Sequence, residues 1–247
     1  MIRKLGTSIL ILLLLIFSAL IYLVQYLYFH KPDDTWFYFL QDLAFVPISV
    51  LLVTLGLNTV MVYRQREQML QKVSIVINEF FVEAGSEMIL MLRKFIVNLE
   101  QIAPQLQPTA HWKKQDFDAA IALLASKPVE TDAGNGDLPS LAAVLAQKKD
   151  QILRLFENAN LLEHDRFTDM LWAVYHVHDE LRSRSTLTDL PASDLKHLSG
   201  DMQRAIQLLL IEWLESMRQL KARYPYLYSL AIRKSPLGQG SVIITES

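Results

Sequence analysis

A group of polar residues between His164 and Arg184 has the types and spacing needed to bind a metal ion. Within this group, His176 and Glu180 stand four positions apart in a segment whose apolar spacing is typical of one helix. Side chains four apart share a helix face, so the two would lie together. Helical-bundle metal sites use such pairs, but they need pairs from more than one helix. His176 and Glu180 are therefore the candidate metal ligands.

The helical wheel of the same segment argues against a metal site there. The inward face is set by apolar residues, namely Phe167, Met170, Leu171, Val174, Val177 and Leu181. The polar side chains on the opposite side, where we expect solvent, are Asp165, Asp169, His176 and Glu180. His178 falls on the inward face and is expected to be a core histidine with one local hydrogen bond. The sequence therefore assigns no catalytic, cofactor-binding or metal-ligating residue.

Composition and motifs exclude several other kinds of site. The chain has no cysteine, which excludes disulfides, thiol nucleophiles and cysteine-ligated zinc or iron–sulfur centres. Its formal net charge is −2 at pH 7, so nucleic acid is not an expected partner. Phosphate loops, nucleophile elbows, His-Glu-x-x-His pairs and dinucleotide fingerprints are missing from the sequence. We therefore expect no cofactor, and an enzyme is not the favoured class.

Two uncharged apolar segments near the N-terminus, 9–29 and 43–62, organise the rest of the chain. At about 1.5 Å rise per residue, each is long enough for a hydrocarbon core of about 30 Å. A short polar link joins them, so we expect antiparallel neighbours and a transmembrane helical hairpin over residues 1–63. A cleaved signal peptide is the alternative for the first segment. Its apolar core exceeds the usual length of about 7–15 residues, and no small-residue cleavage site follows.

Flanking charges predict the orientation of this hairpin. Basic residues precede the first segment and follow the second, namely Arg3, Lys4, Arg64, Arg66 and Lys72. The link between the segments carries Lys31 against Asp33 and Asp34. By the positive-inside rule both termini face the cytoplasm. The sequence thus predicts a multi-pass protein of the plasma membrane, with the lipid bilayer as a partner.

Two polar side chains interrupt the apolar hairpin. Gln25 lies in the first segment and Asp42 borders the second. Because carboxylates inside membranes are usually functional, these two residues form a candidate intramembrane polar site. The subunit of an oligomeric channel or ion-permeable assembly is the corresponding hypothesis. Asp42 is close enough to the interface to be hydrated, so an anchoring hydrogen bond to Gln25 or Tyr26 is the favoured interpretation.

Residues 64–234 are predicted to form a cytoplasmic helical bundle, which makes the chain all-α. Helical spacing continues from the second span to about Ala103 and stops at Pro104. Further helices are expected over residues 115–125, 138–157, 164–184 and 190–223. The last has the longest apolar stripe and is expected to be central. A flexible surface loop near 127–138 and a disordered tail over 235–247 complete the prediction.

Six phrases of the sequence have a familiar form: Asp42–Pro47, Trp172–His176, Leu190–Pro191 with Ser193–Leu195, Gly200–Asp201, Glu212–Trp213 and Tyr224–Leu227. Together they resemble a family of uncharacterised prokaryotic integral membrane proteins with two N-terminal spans and a helical cytoplasmic region. The resemblance covers most of the chain outside residues 104–140. It implies the architecture, and it implies no activity, cofactor or functional residue.

The favoured functional hypothesis is a membrane-anchored helical interaction, scaffold or signalling module. In this hypothesis the hairpin tethers the protein, and the bundle holds a protein partner or another copy of the chain. It rests on the abundance of amphipathic helices and on the lack of site motifs in the sequence. The channel subunit and a metal-dependent enzyme in the bundle are alternatives from other classes.

Overall fold

A computed structural model of the protein describes residues 2–29, 32–162 and 164–238. Regular secondary structure in these ranges is helical, so the predicted all-α class is confirmed for them. An isolated antiparallel bridge joins Ile96 to Thr131. The helices are α1 (Ile2–Phe29), α2 (Pro32–Phe80), α3 (Ser86–Leu92), α4 (Leu99–Leu106), α5 (Lys114–Ser126), α6 (Leu138–Phe156), α7 (Ala159–Leu162), α8 (Asp165–Ser183), α9 (Ala192–Arg223) and α10 (Pro225–Arg233).

The chain divides into two compact units between Glu67 and Gln68. Within the described residues, the stretch Asp34–Phe95 is long and apolar enough to cross a membrane, and no residue of its most apolar part is buried. A shorter apolar helix covers Ile16–Tyr28. The structure thus supports one candidate span where the sequence predicts two. Most side chains over residues 9–15 of the first predicted span lie outside the described residues.

In the first unit, α2 begins earlier than the predicted second span. It begins at Pro32, where proline suits the first helical turn because its missing N–H has no helical partner there. Most of the predicted polar link is therefore helical, and His30 and Lys31 lie outside the described residues. Tyr22 of α1 packs edge-on against Phe39 of α2, with 5.9 Å between ring centroids. The two helices therefore contact each other near their link.

The second unit is built around α9. This helix packs against α3, α5, α8 and α10. The apolar side chains that α9 buries recur at helical spacing and include Leu198, Met202, Ile206, Leu209, Leu210, Trp213, Leu214 and Met217. The predicted central position of this helix is confirmed, as are the predicted helices that correspond to α5, α6 and α8.

The helical segment after the second span was predicted to run to about Ala103 as one long helix or two in near line, and it is interrupted well before that residue. A π-helical turn, Phe81–Gly85, precedes α3, and the backbone becomes extended at Ile96. The interruption has a long-range cause, because Val97 N–H donates to the carbonyl of Glu130 at 2.8 Å and Asp132 N–H donates to that of Phe95 at 2.9 Å. Pro104 was predicted to end the helix but lies inside α4.

The segment predicted as a flexible loop, residues 127–138, is anchored along its length. Asn98 Oδ1 accepts from Glu130 N–H at 3.1 Å, and Gln207 Oε1 accepts from Val129 N–H at 2.9 Å. Thr131 Oγ1 donates to the carbonyl of Ser199 at 2.6 Å. A short 3₁₀ turn, Ala133–Asn135, then leads into α6. Side chains elsewhere in the fold therefore satisfy the backbone of a segment that has little regular structure.

The start of the predicted disordered tail is packed against the second unit. Ser235, Pro236 and Leu237 are buried, and Arg93 Nη1 donates to the carbonyl of Pro236 at 2.7 Å. Residues 235–238 therefore belong to the packed part of the chain, although the sequence predicts disorder from residue 235. Residues 239–247 lie outside the described residues.

A substitution at Gly136 tests the packing of the segment 127–138 against Phe95. A Cβ atom there would overlap the ring of Phe95, which is fully buried, whereas the backbone φ of −125° suits any residue. We expect Gly136→Ala to reduce the free energy of unfolding by about 1–3 kcal/mol because of the steric overlap. Thermal denaturation followed by far-ultraviolet circular dichroism measures it as a fall in Tm of about 2–4 °C per kcal/mol.

Gly200→Ala is the matched control, because Gly200 is at an exposed position of α9 and a Cβ there meets nothing within 4 Å. We expect that change to stabilise the helix by about 0.5–1 kcal/mol. Equal Tm values for Gly136→Ala and the wild type would contradict the packing of this segment.

Candidate functional site

Helices α8 and α9 each contribute a histidine and a carboxylate to one cluster. Helix α8 carries His176 and Glu180, and α9 carries His197 and Asp201, so each pair is four positions apart on its own helix. Side chains at this spacing share a face, and the packing of α8 on α9 brings the two faces together. We call these four residues the α8–α9 cluster.

The two imidazoles face both carboxylates. His176 Nε2 lies 3.5 Å from Asp201 Oδ2 and 3.9 Å from Glu180 Oε1. His197 Nε2 lies 3.3 Å from Asp201 Oδ2 and 3.6 Å from Glu180 Oε2. One ligand atom from each of His176, Glu180 and Asp201 falls within 4.8 Å of the other two. Such a group can share protons or bind a cation.

Burial differs sharply across the cluster. The side chain of Asp201 is 8% exposed, whereas those of His176 and His197 are 47% and 56% exposed. The Oδ2 atom of Asp201 is buried and has no hydrogen-bond partner among the described residues. Arg204 Nη1 lies 3.8 Å from the other oxygen, Oδ1, which is longer than a hydrogen bond. Asp201 is therefore the buried member of the cluster, and the two imidazoles are its solvent-exposed members.

Arg184 fixes the position of Glu180. Its guanidinium donates to Asp194 from Nε at 2.8 Å and from Nη2 at 2.7 Å, and from Nη1 to Glu180 Oε2 at 2.9 Å. These hydrogen bonds lower the pKa values of Glu180 and Asp194 and raise that of Arg184. The bidentate pair joins the end of α8 to the first turn of α9. Glu180 Oε1 is left directed toward His176.

The other polar residues that the sequence singled out on α8 lie away from this cluster. Asp165 and Asp169 are exposed, as predicted. His178 is buried in the core, as predicted, but its Nε2 has no hydrogen-bond partner among the described residues. Burial lowers the pKa of His178, and the positive charges of Lys149 and Arg182 lower it further. His178 is therefore a core residue.

Sequence reasoning missed His197 and Asp201. Both stand one position before a residue of the long apolar stripe of α9, and the stripe by itself predicts only a central helix. The sequence does contain a signal for them, because His197 and Asp201 repeat the histidine–carboxylate spacing of four positions seen in His176 and Glu180. The expectation that Glu180 faces water also needs correction, since its side chain is 28% exposed and bound to Arg184.

In the first unit, Asp42 has a different partner from those expected. Tyr22 Oη donates to Asp42 Oδ2 at 2.8 Å. The predicted bond to Gln25 or Tyr26 is therefore replaced by one to Tyr22, whose ring lies one turn earlier on α1. Gln25 is half-buried. The Asp42 carboxylate is thus bound within the first unit.

A second buried carboxylate, Glu212, lies between α8 and α9. Its side chain is 1% exposed, and its Oε1 has no hydrogen-bond partner among the described residues. Arg166 Nε is 3.5 Å from that oxygen. Burial raises the pKa of Glu212 to about 7, although the charge of Arg166 acts in the opposite direction and Glu215 adds to the rise. Glu212 is therefore half-protonated near neutral pH.

These observations define an all-α protein of two helical units. The second unit carries a polar cluster between α8 and α9. Residues 69–233 match the family model described as the C-terminal helical domain of uncharacterized protein MJ1433. Residues 3–61 match the model for the N-terminal helical domain of MJ1433. The chain is 40% identical over 233 residues to uncharacterized protein MJ1433 of Methanocaldococcus jannaschii, with 94% of each chain covered. The protein therefore belongs to the MJ1433 family. No solved structure matches it.

The raised pKa of Glu212 predicts how stability depends on pH. Between the unfolded pKa of about 4.5 and the folded pKa of about 7, the folded state binds more protons, so stability falls as pH rises through this window. We expect Glu212→Gln, which cannot ionise, to lose this dependence. At about pH 8 the free energy of unfolding of this variant should exceed that of the wild type by up to about 3 kcal/mol. Denaturant unfolding of both proteins from pH 5 to about pH 8 measures the difference.

Glu100→Gln is the control for this experiment, because Glu100 is an exposed carboxylate in the first turn of α4. Its pH profile should match that of the wild type. Parallel profiles for Glu212→Gln and the wild type would show that Glu212 ionises normally in the folded protein.

Proposed function

We propose that this protein is a membrane-anchored helical module. Residues 1–63 form a two-span hairpin in the plasma membrane, and the helical domain that follows binds a partner protein or another copy of the chain in the cytoplasm. The proposal combines the apolar character of the first unit with the well-packed core of the second. It accounts for the two segments of the chain that the family models match separately.

The main support is the exposure of large apolar side chains on α2. Between Trp36 and Tyr63 they are exposed around the whole helix, including Phe45, Ile48, Leu51, Leu55 and Val62. A helix that is apolar on all sides is stable in lipid or in the interior of a protein. Lipid satisfies this requirement for a helix that buries none of its most apolar part.

The first span is supported by the apolar side chains of α1. Phe17, Leu20, Val24 and Leu27 are exposed on this helix, which spans Ile2–Phe29. A helix of this length can cross a hydrocarbon core of about 30 Å. Because α1 and α2 contact each other through Tyr22 and Phe39, a hairpin is the simplest arrangement of two spans.

The bond between Tyr22 and Asp42 favours an anchoring role over a pore. A carboxylate that faces an ion pathway must be available to the ion, whereas Asp42 already accepts a hydrogen bond from Tyr22. Asp42 also lies close to the expected outer interface, where water reaches it. The hydrogen bond to Asp42 therefore favours the anchored module over a channel subunit.

Cysteine labelling tests the membrane anchor and its orientation. Since the chain has no cysteine, Lys31→Cys and Gln115→Cys each introduce a single reactive thiol. We expect a membrane-impermeant maleimide to label Lys31→Cys in intact cells and Gln115→Cys only after lysis. The full-length protein should stay with the membrane pellet in alkaline carbonate and dissolve in detergent.

The cysteine-free wild type is the labelling control. Labelling of Gln115→Cys in intact cells would contradict the proposed orientation. Release of the protein by carbonate would contradict the membrane anchor itself. Intact mass of the purified chain distinguishes an uncleaved first span from a removed signal peptide.

The interaction role makes a separate prediction. In mild detergent, we expect native mass spectrometry to find assemblies of two or more 28.4 kDa chains, or a fixed ratio of chain to one partner through two purification steps. Dissociation at low protein concentration is the control for detergent-induced aggregation, because a specific assembly dissociates over a defined range. A chain that is always monomeric and unaccompanied would contradict the proposal.

A further inference from the structure

The buried Oδ2 atom of Asp201 lacks a hydrogen-bond donor among the described residues, and its nearest partners there are the imidazoles of His176 and His197 at 3.5 Å and 3.3 Å. This oxygen is inaccessible to solvent. Burying an ionised carboxylate without a compensating donor or cation is costly, and such groups in proteins are normally paired or bound to a metal. The recorded ion pair of Arg204 is a long one to the other oxygen, with Nη1 3.8 Å from Oδ1.

The distances within the cluster do not fit hydrogen bonds. The imidazole nitrogens lie 3.3–3.9 Å from the facing carboxylate oxygens, beyond the usual N–H···O range of about 2.7–3.2 Å. The distances from His176 Nε2 to Asp201 Oδ2 and Glu180 Oε1, and from His197 Nε2 to Asp201 Oδ2, are close to the spacing of ligand atoms around one metal ion. In a tetrahedron with metal–ligand bonds of about 2.1 Å, neighbouring ligand atoms are separated by about 3.4 Å.

We propose that the α8–α9 cluster binds one divalent first-row transition metal ion. The ligands are His176 and Glu180 from α8 and His197 and Asp201 from α9, with Asp201 Oδ2 as the buried anchor. Two helices thus supply one His–carboxylate pair each, which is the arrangement that helical-bundle metal sites require. The proposal goes beyond the anchored module and does not rest on it.

The donor set selects the class of metal. Two imidazole nitrogens and two carboxylate oxygens suit Zn²⁺, Fe²⁺ and Mn²⁺, whereas Mg²⁺ and Ca²⁺ prefer oxygen ligands alone. Zn²⁺ binds more tightly than Fe²⁺ or Mn²⁺ at most sites of this kind, so it is the best probe. Because His176 and His197 are about half exposed, an ion enters from solvent and keeps access to an exogenous ligand.

The hydrogen bonds of Arg184 preorganise one ligand. They hold Glu180 through Oε2 and through its main-chain carbonyl at 2.5 Å, which directs Oε1 at the site. Outer contacts of this kind orient metal ligands, and their loss typically weakens metal affinity about 10–100-fold.

Zinc titration of the full-length protein tests the site. Chelator-treated protein in mild detergent is titrated with Zn²⁺ by isothermal titration calorimetry, and we expect one Zn²⁺ per chain. His176→Asn and Asp201→Asn should each weaken the affinity at least about 10–100-fold, the loss that follows removal of even an outer contact. Excess Zn²⁺ should raise the Tm of the wild type and leave that of Asp201→Asn unchanged.

Two matched controls carry the same substitutions outside the cluster. His111→Asn removes an exposed histidine and Asp169→Asn an exposed carboxylate on α8, so both should retain the wild-type affinity. His197→Asn removes a half-exposed ligand and gives a folded variant if Asp201→Asn fails to fold. Mg²⁺ in excess should not compete with Zn²⁺.

Three results would overturn the proposal. They are a wild type without saturable Zn²⁺ binding, equal affinities for His197→Asn and the wild type, and competition by Mg²⁺ at similar concentration. The first would indicate that the histidines and carboxylates share protons only.

Discussion

The packing of α8 against the apolar stripe of α9 is the interaction on which the second unit depends. From Leu198 to Met217 the stripe buries a large side chain at nearly every helical turn. Helices α3, α5, α8 and α10 pack against α9. Each fully buried side chain of this kind contributes about 1.5–3 kcal/mol. Surface ion pairs contribute about 0–1 kcal/mol each, so apolar burial along α9 decides how the other helices are arranged.

The polar cluster is a consequence of this packing. Each of its members stands one position before a buried apolar residue of its own helix, namely Val177, Leu181, Leu198 and Met202. When the apolar stripes of α8 and α9 meet, the polar positions beside them meet at the edge of the same interface. Arg184 then joins the helices near their connection through Glu180 and Asp194. The packing of the apolar core thus positions polar side chains that lie outside the core.

The helices were largely predictable, and their ends less so. Periodicity over α5, α6, α8 and α9 is a local property, because a helix must place its apolar residues every three to four positions to bury one face. The break at Ile96 depends instead on hydrogen bonds with Glu130 and Asp132, more than thirty positions away in the chain. The segment 127–138 was predicted as a flexible loop for the same reason. The residues that anchor it, Asn98, Gln207 and Ser199, lie far from it in the sequence.

The sequence by itself determined the helical class, the apolar character of the N-terminal segments and the candidate pair His176 and Glu180. These follow from residue types and from spacings along one helix. The packing of the helices places His197 and Asp201 beside that pair and buries Asp201 and Glu212. It also places the hydroxyl of Tyr22 in hydrogen-bond contact with Asp42. The physical reason is that a helical wheel defines the faces of one helix, whereas which faces meet depends on how all the helices pack together.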